Sequence, residues 1–302
     1  MDPIARIAEY KRQHNAVILA HNYQLPEIQD VADIRGDSLG LAIEAARAQA
    51  DTIVFCGVLF MAETAKILNP GRTVLIPEPE AGCPLADMIT AEQLRAFQAE
   101  HPGARTVCYV NSSAEVKALS DICCTSSNAV KVLREAFTPD EEILFVPDRN
   151  LAAWAAGQLP DRTIIPWKGF CYTHHRLLPE VVDRARAEHP GAEVIVHPEC
   201  PPAVTARADH VLSTGGMASH VATSPQREFI IGTELGMLYR LRQDNPDKVF
   251  HHAFEAMVCP NMKKTNLASL VSALETGSHE VTLDPDLITR ARHSIDAMLE
   301  HV

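Results

Sequence analysis

The chain has 302 residues, 46% of them hydrophobic and 22% charged, with a formal net charge of −12. That length buries a core with ease and suits either two or three domains or one large one. The acidic balance excludes a nonspecific nucleic-acid binder, which needs a basic footprint, and no apolar run is long enough to cross a membrane.

The first residues, Met1 to Arg6, lack a signal-peptide apolar region, so a cytoplasmic protein is expected. Structural disulfides are rare there, and the eight cysteines read as core residues plus metal ligands. Val17-Ile18-Leu19-Ala20 is a short apolar run of the kind found in buried parallel strands, and it ends at His21-Asn22-Tyr23. Asp37-Ser38 then offers a polar cap to a helix beginning Leu39-Gly40-Leu41. A second strand is expected at Thr52 to Cys56, a helix through Met61 to Leu68 stopped by Asn69-Pro70-Gly71, and a third strand at Thr73 to Ile76. A Pro-rich loop leads on to Cys83.

The same order returns twice. A strand at Thr106 to Cys108 ends at Tyr109, a helix starts near Ser126-Ser127-Asn128, and strands follow at Ile143 to Val146 and Thr163 to Ile165, before Cys171. Then Val194 to Val196 ends at His197, Ser213-Thr214-Gly215-Gly216 follows, and Phe229 to Gly232 and Lys248 to Phe250 precede Cys259. Pro285 to Val302 reads as a closing helix. The pattern predicts an α/β protein of three βαβαβ units with small parallel sheets flanked by helices, related by a pseudo-threefold axis. The expected boundaries are 1–85 (with the closing region 260–302), 86–172 and 173–259.

The repeat has a fixed step. Cys83, Cys171 and Cys259 stand at equal intervals of 88 residues, as do His21, Tyr109 and His197, and Ser38, Ser126 and Thr214. Ligands of parallel α/β sheets bind beyond the carboxyl ends of the strands, so the polar triplets and the cysteines are expected on one side of their sheets. A lone cysteine is usually a small core hydrophobe, and Cys56, Cys108, Cys200 and the Cys123-Cys124 pair are read so. The evenly spaced three lie in loops with polar or Pro/Gly neighbours. The chain has no C-x-x-C pair, which disfavours a structural zinc ribbon. Three thiolates without a fourth suit a 4Fe–4S cluster with one open iron, able to act as a Lewis acid in dehydration. An iron–sulfur redox sensor and a zinc hydrolase are the competing readings.

The sequence resembles the quinolinate synthase family along its whole length. The matching motifs, in the family's order, include Ala20-His21-Asn22-Tyr23-Gln24, Gly36-Asp37-Ser38-Leu39, Gly82-Cys83-Pro84-Leu85-Ala86-Asp87-Met88 and Tyr109-Val110-Asn111. They continue through Trp167-Lys168-Gly169-Phe170-Cys171, His197-Pro198-Glu199-Cys200, Ser213-Thr214-Gly215-Gly216 and Cys259-Pro260-Asn261-Met262. The resemblance implies three similar domains around one site and a 4Fe–4S cluster on Cys83, Cys171 and Cys259. It implies a transferase-type condensation of iminosuccinate with dihydroxyacetone phosphate, from which phosphate and water leave as quinolinate forms, in NAD biosynthesis. It also implies a transient contact with the iminosuccinate-producing L-aspartate oxidase or dehydrogenase. Some relatives carry a C-x-x-C-x-x-C run ending at the third ligand; here Ala253 and Ala256 stand in it, which removes a disulfide switch.

Both implied substrates are anionic, so an acidic protein must supply local positive potential. Helix starts at Ser38, Ser126 and Thr214 are expected to donate to carboxylate and phosphate groups. Glu199 is the candidate general base, its pKa expected to be raised at the end of an apolar strand. His21 and His197 are expected to orient and protonate substrate oxygens. Tyr23 and Tyr109 offer hydroxyls and Asn111 an amide, and His174, three residues past Cys171, is a proton donor or a partner of the cluster ligands. His175, His251 and His252 are read as structural. Lys263-Lys264 is a candidate for neutralising substrate charge.

Overall fold

The computed structural model describes residues 2–302. Its twelve strands form three separate four-stranded sheets, all parallel. The first holds β1 (Ala16–His21), β2 (Ile34–Gly36), β3 (Thr52–Cys56) and β4 (Thr73–Leu75). The second holds β5 (Arg105–Tyr109), β6 (Ile122–Cys124), β7 (Glu142–Val146) and β8 (Thr163–Pro166). The third holds β9 (Glu193–Val196), β10 (His210–Val211), β11 (Glu228–Gly232) and β12 (Val249–His252). The strand orders are β2-β1-β3-β4, β6-β5-β7-β8 and β10-β9-β11-β12, one topology drawn three times. The expected α/β class and threefold repetition are therefore present. Each unit has four strands where three were expected. The extra ones are only two or three residues long, too short to show a periodicity in sequence.

The repetition reaches single hydrogen bonds. Asp33, Asp121 and Asp209 each accept from the first strand of their unit, through Ile18 N (2.8 Å), Thr106 N (2.7 Å) and Val194 N (2.8 Å). Each aspartate also returns its own N–H to the carbonyl of that same residue. Both sets of three keep the 88-residue step.

The central strands are buried on both faces, which explains their unbroken apolar runs. Ile18, Leu19, Ile53, Leu144, Phe145, Phe229 and Ile230 lose all solvent contact, each side chain contributing roughly 1.5–3 kcal/mol of transfer free energy. The C-terminal region divides its packing. Helix Leu267–Thr276 lies on the N-terminal helix Pro3–Gln13, and Val281 N bonds Val74 O at the edge of the first sheet. Helix Pro285–Leu299 instead spans the first and second units, packing on helices Leu59–Leu68 and Ala114–Lys117 and on β6. Ser294 Oγ at its centre bonds Lys117 O at 2.9 Å.

In every sheet the chain steps outward from the first strand and then crosses back past it. That reversal leaves a crevice at the carboxyl ends of the strands. His21 and Tyr109 close β1 and β5, and His197 follows β9.

Candidate active site

The three crevices open into one cavity of about 650 Å³. Every residue singled out above as a ligand, base, donor or binder lines it: His21, Tyr23, Ser38, Cys83, Tyr109, Asn111, Ser126, Cys171, His174, His197, Glu199, Thr214 and Cys259. They come from all three units, so the cavity exists only where the units meet.

The meeting point is a knot of hydrogen bonds. Ser127 Oγ donates to Asp37 Oδ2 at 2.6 Å and lies 2.7 Å from Ser213 Oγ. Asp37 and Ser213 are also the true caps of helices Ser38–Arg47 and Thr214–Thr223, accepting from Gly40 N and Gly216 N. Ser38 and Thr214 are thus first helical residues, not caps, and Thr214 Oγ1 accepts from Asn22 Nδ2 at 2.9 Å. Ser126 stands ahead of a seven-residue helix capped at Asn128. A side chain at position 215 would place its Cβ 2.5 Å from Asp37 Oδ2, so only glycine allows the approach.

Glu199 is the centre of the polar network and is 3% exposed. Its Oε1 accepts from Tyr109 Oη at 2.6 Å and Asn111 Nδ2 at 3.5 Å, and its Oε2 lies 2.5 Å from His174 Nδ1. Burial acts to raise the carboxyl pKa, but His174 and the Tyr109 hydroxyl outweigh it and hold Glu199 below its ordinary value. The expected raised pKa is therefore corrected: donors from the second unit and from His174 stabilise the carboxylate. An ionised Oε2 takes the proton of His174 Nδ1, which leaves Nε2 to accept from Thr233 Oγ1 at 2.8 Å. Thr233 in turn accepts from Tyr23 Oη at 2.6 Å. A relay Tyr23–Thr233–His174–Glu199 results, and Thr233 was not foreseen.

His21 and His197 mirror one another. Their Nδ1 atoms accept from the backbone N–H two residues on, Tyr23 N at 3.2 Å and Glu199 N at 3.3 Å. The ring proton is thereby placed on Nε2. Burial pulls their pKa values down to about 4 for His21 and about 3 for His197. They are neutral donors near neutrality and not imidazolium acids, which corrects the expectation that they protonate substrate. Burial raises both tyrosines, so they keep their hydroxyl protons.

This neutrality has a cost in acid. An unfolded imidazole titrates near its ordinary 6.5, so between pH 6.5 and 4 the unfolded chain takes up protons that the folded chain refuses. Stability is full above that window and falls as pH drops through it, by up to about 3 kcal/mol for His21 alone. Glu199 adds in the same direction below its ordinary 4.5, because a carboxyl held low loses its contribution on protonation. The melting midpoint of cluster-free protein is expected to fall steeply from pH 7 to pH 4, and a flat profile would show that the imidazoles are not held neutral.

The cysteines differ in burial. Cys83, Cys171 and Cys259 are partly accessible on the cavity wall, while Cys56, Cys108, Cys123, Cys124 and Cys200 are buried. Two of the three cavity loops are tied by buried carboxylates. Asp148 Oδ2 accepts from Cys171 N at 3.0 Å, and Glu234 Oε1 from Cys259 N at 3.1 Å. Gly169 lets the Cys171 loop pass, since a Cβ there would lie 2.5 Å from Pro147 O. Burial pushes Cys83 up to about 12 and raises Cys171 and Cys259. Such thiols keep their protons unless a metal claims the sulfur. Among the described residues the three sulfurs do not gather within the 4.8 Å span of a single-ion grouping. All three thiols line the one cavity, a donor set of the kind that holds iron–sulfur clusters. The grouping within the cavity that is tight enough for one ion is Cys171, His174 and Glu199, and Cys83 and Cys259 lie outside it.

Lys263 is not a substrate-facing cation. Its Nζ bonds Tyr23 O and pairs with Glu234 at 3.0 Å, and neither lysine of the pair lines the cavity. Among the cavity-lining residues there is no lysine or arginine. The polar groups the cavity presents are helix starts, hydroxyls and imidazole N–H groups. Asp37 and Ser127, read from sequence only as parts of helix starts, also line the cavity, and Asp37 and Ser213 keep the 88-residue register with Thr125, another cavity residue. No helix is long and apolar enough to cross a membrane among the described residues.

Comparison with known proteins agrees with this geometry. The family model described as quinolinate synthetase A protein matches residues 5–300. A quinolinate synthase of Geobacter metallireducens is 54% identical over 288 residues, 95% of this chain and 94% of the relative. Those of Methanoregula boonei and Alkaliphilus metalliredigens are 53% and 50% identical, covering 97% and 98% of this chain and 96% and 97% of theirs. A match spanning all three sheets and the cavity between them leaves no part of the fold unaccounted for, and the chain belongs to the quinolinate synthetase A family of enzymes.

Proposed function

We propose that the protein condenses iminosuccinate with dihydroxyacetone phosphate, releasing phosphate and water as quinolinate forms, in the supply of NAD. The observation that carries this reading is the carboxyl group of Glu199, held by Tyr109, Asn111 and His174, in a cavity that also presents three cysteines. The units 1–85 with 260–302, 86–172 and 173–259 each supply one cysteine and one wall.

Cys83, Cys171 and Cys259 are the residues to hold a 4Fe–4S cluster, which when bound supplies an electrophilic iron that favours loss of a hydroxyl group. The protein's own groups do the rest. Glu199 accepts the carbon-bound proton of the imine partner during carbon–carbon bond formation and tautomerisation. His174 Nδ1 stands 2.5 Å from Glu199 Oε2, and the chain from Tyr23 through Thr233 and His174 points its protons toward the carboxylate, orienting it, while Glu199 itself returns the proton it has taken to a departing oxygen. Neutral His21 and His197 donate from Nε2 to substrate oxygens. Asn111, Ser38, Ser126 and Thr214 bind carboxylates and phosphate. Low water access protects the imine from hydrolysis, which favours closure of the cavity around bound substrates.

The test is an anaerobic assay of protein reconstituted with iron and sulfide, given dihydroxyacetone phosphate and freshly generated iminosuccinate. Quinolinate that requires both substrates is expected. Protein with a full complement of iron and sulfide that makes none would overturn the proposal.

A further inference from the structure

The amino-terminal edge of the third sheet, opposite the cavity, carries a second group of metal-ligating side chains. Glu193 opens β9 and His210 opens β10. His210 is in register with Ile195, so strand alternation puts its side chain on the same face as that of Glu193. His220, in helix Thr214–Thr223, covers that face. His210 Nε2 lies 2.6 Å from Glu193 Oε1, and His220 Nε2 lies 3.0 Å from Glu193 Oε2. All three donor atoms fall within 4.8 Å of one another. The carboxylate is 16% exposed and the imidazoles 38% and 26%, so the group is held by packing yet open on one side. Glu193 has no lysine or arginine partner among the described residues. Its only partners are two nitrogens of the kind that bind metals.

We propose that Glu193, His210 and His220 form a second metal site, for zinc or another imidazole-seeking divalent ion, with its fourth position left to water. Two imidazoles and a carboxylate with an open position are a known zinc donor set, and each residue sits on a regular element of the third unit. The ring planes are tilted by 44° with centroids 4.2 Å apart, and each Nε2 is directed at a different oxygen of the one carboxylate, hydrogen bonds that a bound ion would replace.

The opposite face of the same edge provides a built-in control. Register pairs Ile230 with His251, which sets Glu228 and His251 on one face, where His189 joins them. Those two rings are stacked, 3.4 Å apart and within 16° of parallel, and both address the same oxygen of Glu228. Lone pairs in parallel planes point side by side and do not meet at one ion, so this group is expected to stay a hydrogen-bonded cluster.

The experiment titrates zinc, against a chromophoric chelator under anaerobic conditions, into protein whose iron and sulfide are already in place. One further equivalent of zinc is expected. His210→Ala and His220→Ala should each weaken it beyond the roughly 10–100-fold seen when only an outer partner of a ligand is lost. His251→Ala should leave it unchanged. Cobalt in place of zinc should give the visible absorption of a four-coordinate ion. Protein with Cys83, Cys171 and Cys259 all replaced by alanine, which cannot take zinc on sulfur, should still bind the one equivalent. No zinc beyond the cluster, equal uptake in the His210→Ala/His220→Ala double variant, or loss on replacing His251 would each overturn the proposal. The inference stands apart from the proposed reaction, because none of its residues lines the cavity.

Discussion

Cys171→Ser is expected to strip the protein of most of its iron and sulfide and to lower quinolinate formation by about 10²–10³-fold or more, the scale on which one positioned electrostatic group acts. Cys171 lies on the cavity wall with its N–H fixed by Asp148 and its sulfur 3.2 Å from His174 Nδ1. A serine keeps the backbone bond but offers a hydroxyl where a thiolate is required. The fold should survive, because the side chain is partly accessible and the change removes no core volume. The control is Cys56→Ala, a buried cysteine of the first sheet away from the cavity, which should keep its iron and sulfide. Iron and sulfide at wild-type levels in Cys171→Ser would remove that residue from the cluster.

Glu199→Gln separates the base from the scaffold. The amide has the shape of the carboxylate, so its oxygen can still accept from Tyr109 and Asn111. Its nitrogen, however, would face His174 Nδ1–H, donor against donor, and His174 must change tautomer or turn. The relay to Thr233 and Tyr23 then reverses or breaks. The expected result is a fall in kcat of about 10²–10⁴-fold with cluster content intact. A kcat within about tenfold of wild type would assign the proton transfers to another group, with His174 the first to examine.

Both predictions depend on positions visible in the sequence, and the reason they were visible is the repeat. An 88-residue step ties each cysteine and each polar triplet to two others, so chance is a poor account of any one of them. What the sequence concealed falls into two kinds. Short strands such as His210–Val211 are set by their neighbours and leave no pattern of their own. Partners across units leave no local trace: Tyr109 reaches Glu199 from another unit, and a reading from the strand end alone counts desolvation while missing that donor. The pKa of Glu199 was misjudged because His174, 25 residues earlier in the chain, and Tyr109, from another unit, both donate to it. Thr233, Asp148 and Glu234 do not belong to the recurring polar positions, so nothing distinguished them from ordinary loop residues. The caps show the limit of the repeat itself. Asp37 and Ser213 stand one residue before the positions that drew attention, and only hydrogen-bond geometry tells a cap from the residue after it.

The position shared by His21, Tyr109 and His197 shows what joining the units in one chain makes available. Three identical subunits around a true axis would have to present the same side chain three times. Covalent linkage lets each copy change alone. The cavity keeps its symmetry where a common task demands it, in one cysteine per unit, and abandons it where acid and base must differ. Two imidazoles and a phenol occupy one equivalent place, and the carboxylate that the phenol serves occurs only once. The proposed reaction, from two unlike substrates to one ring, needs such a lopsided interior, and this chain builds it on a frame that is otherwise the same three times over.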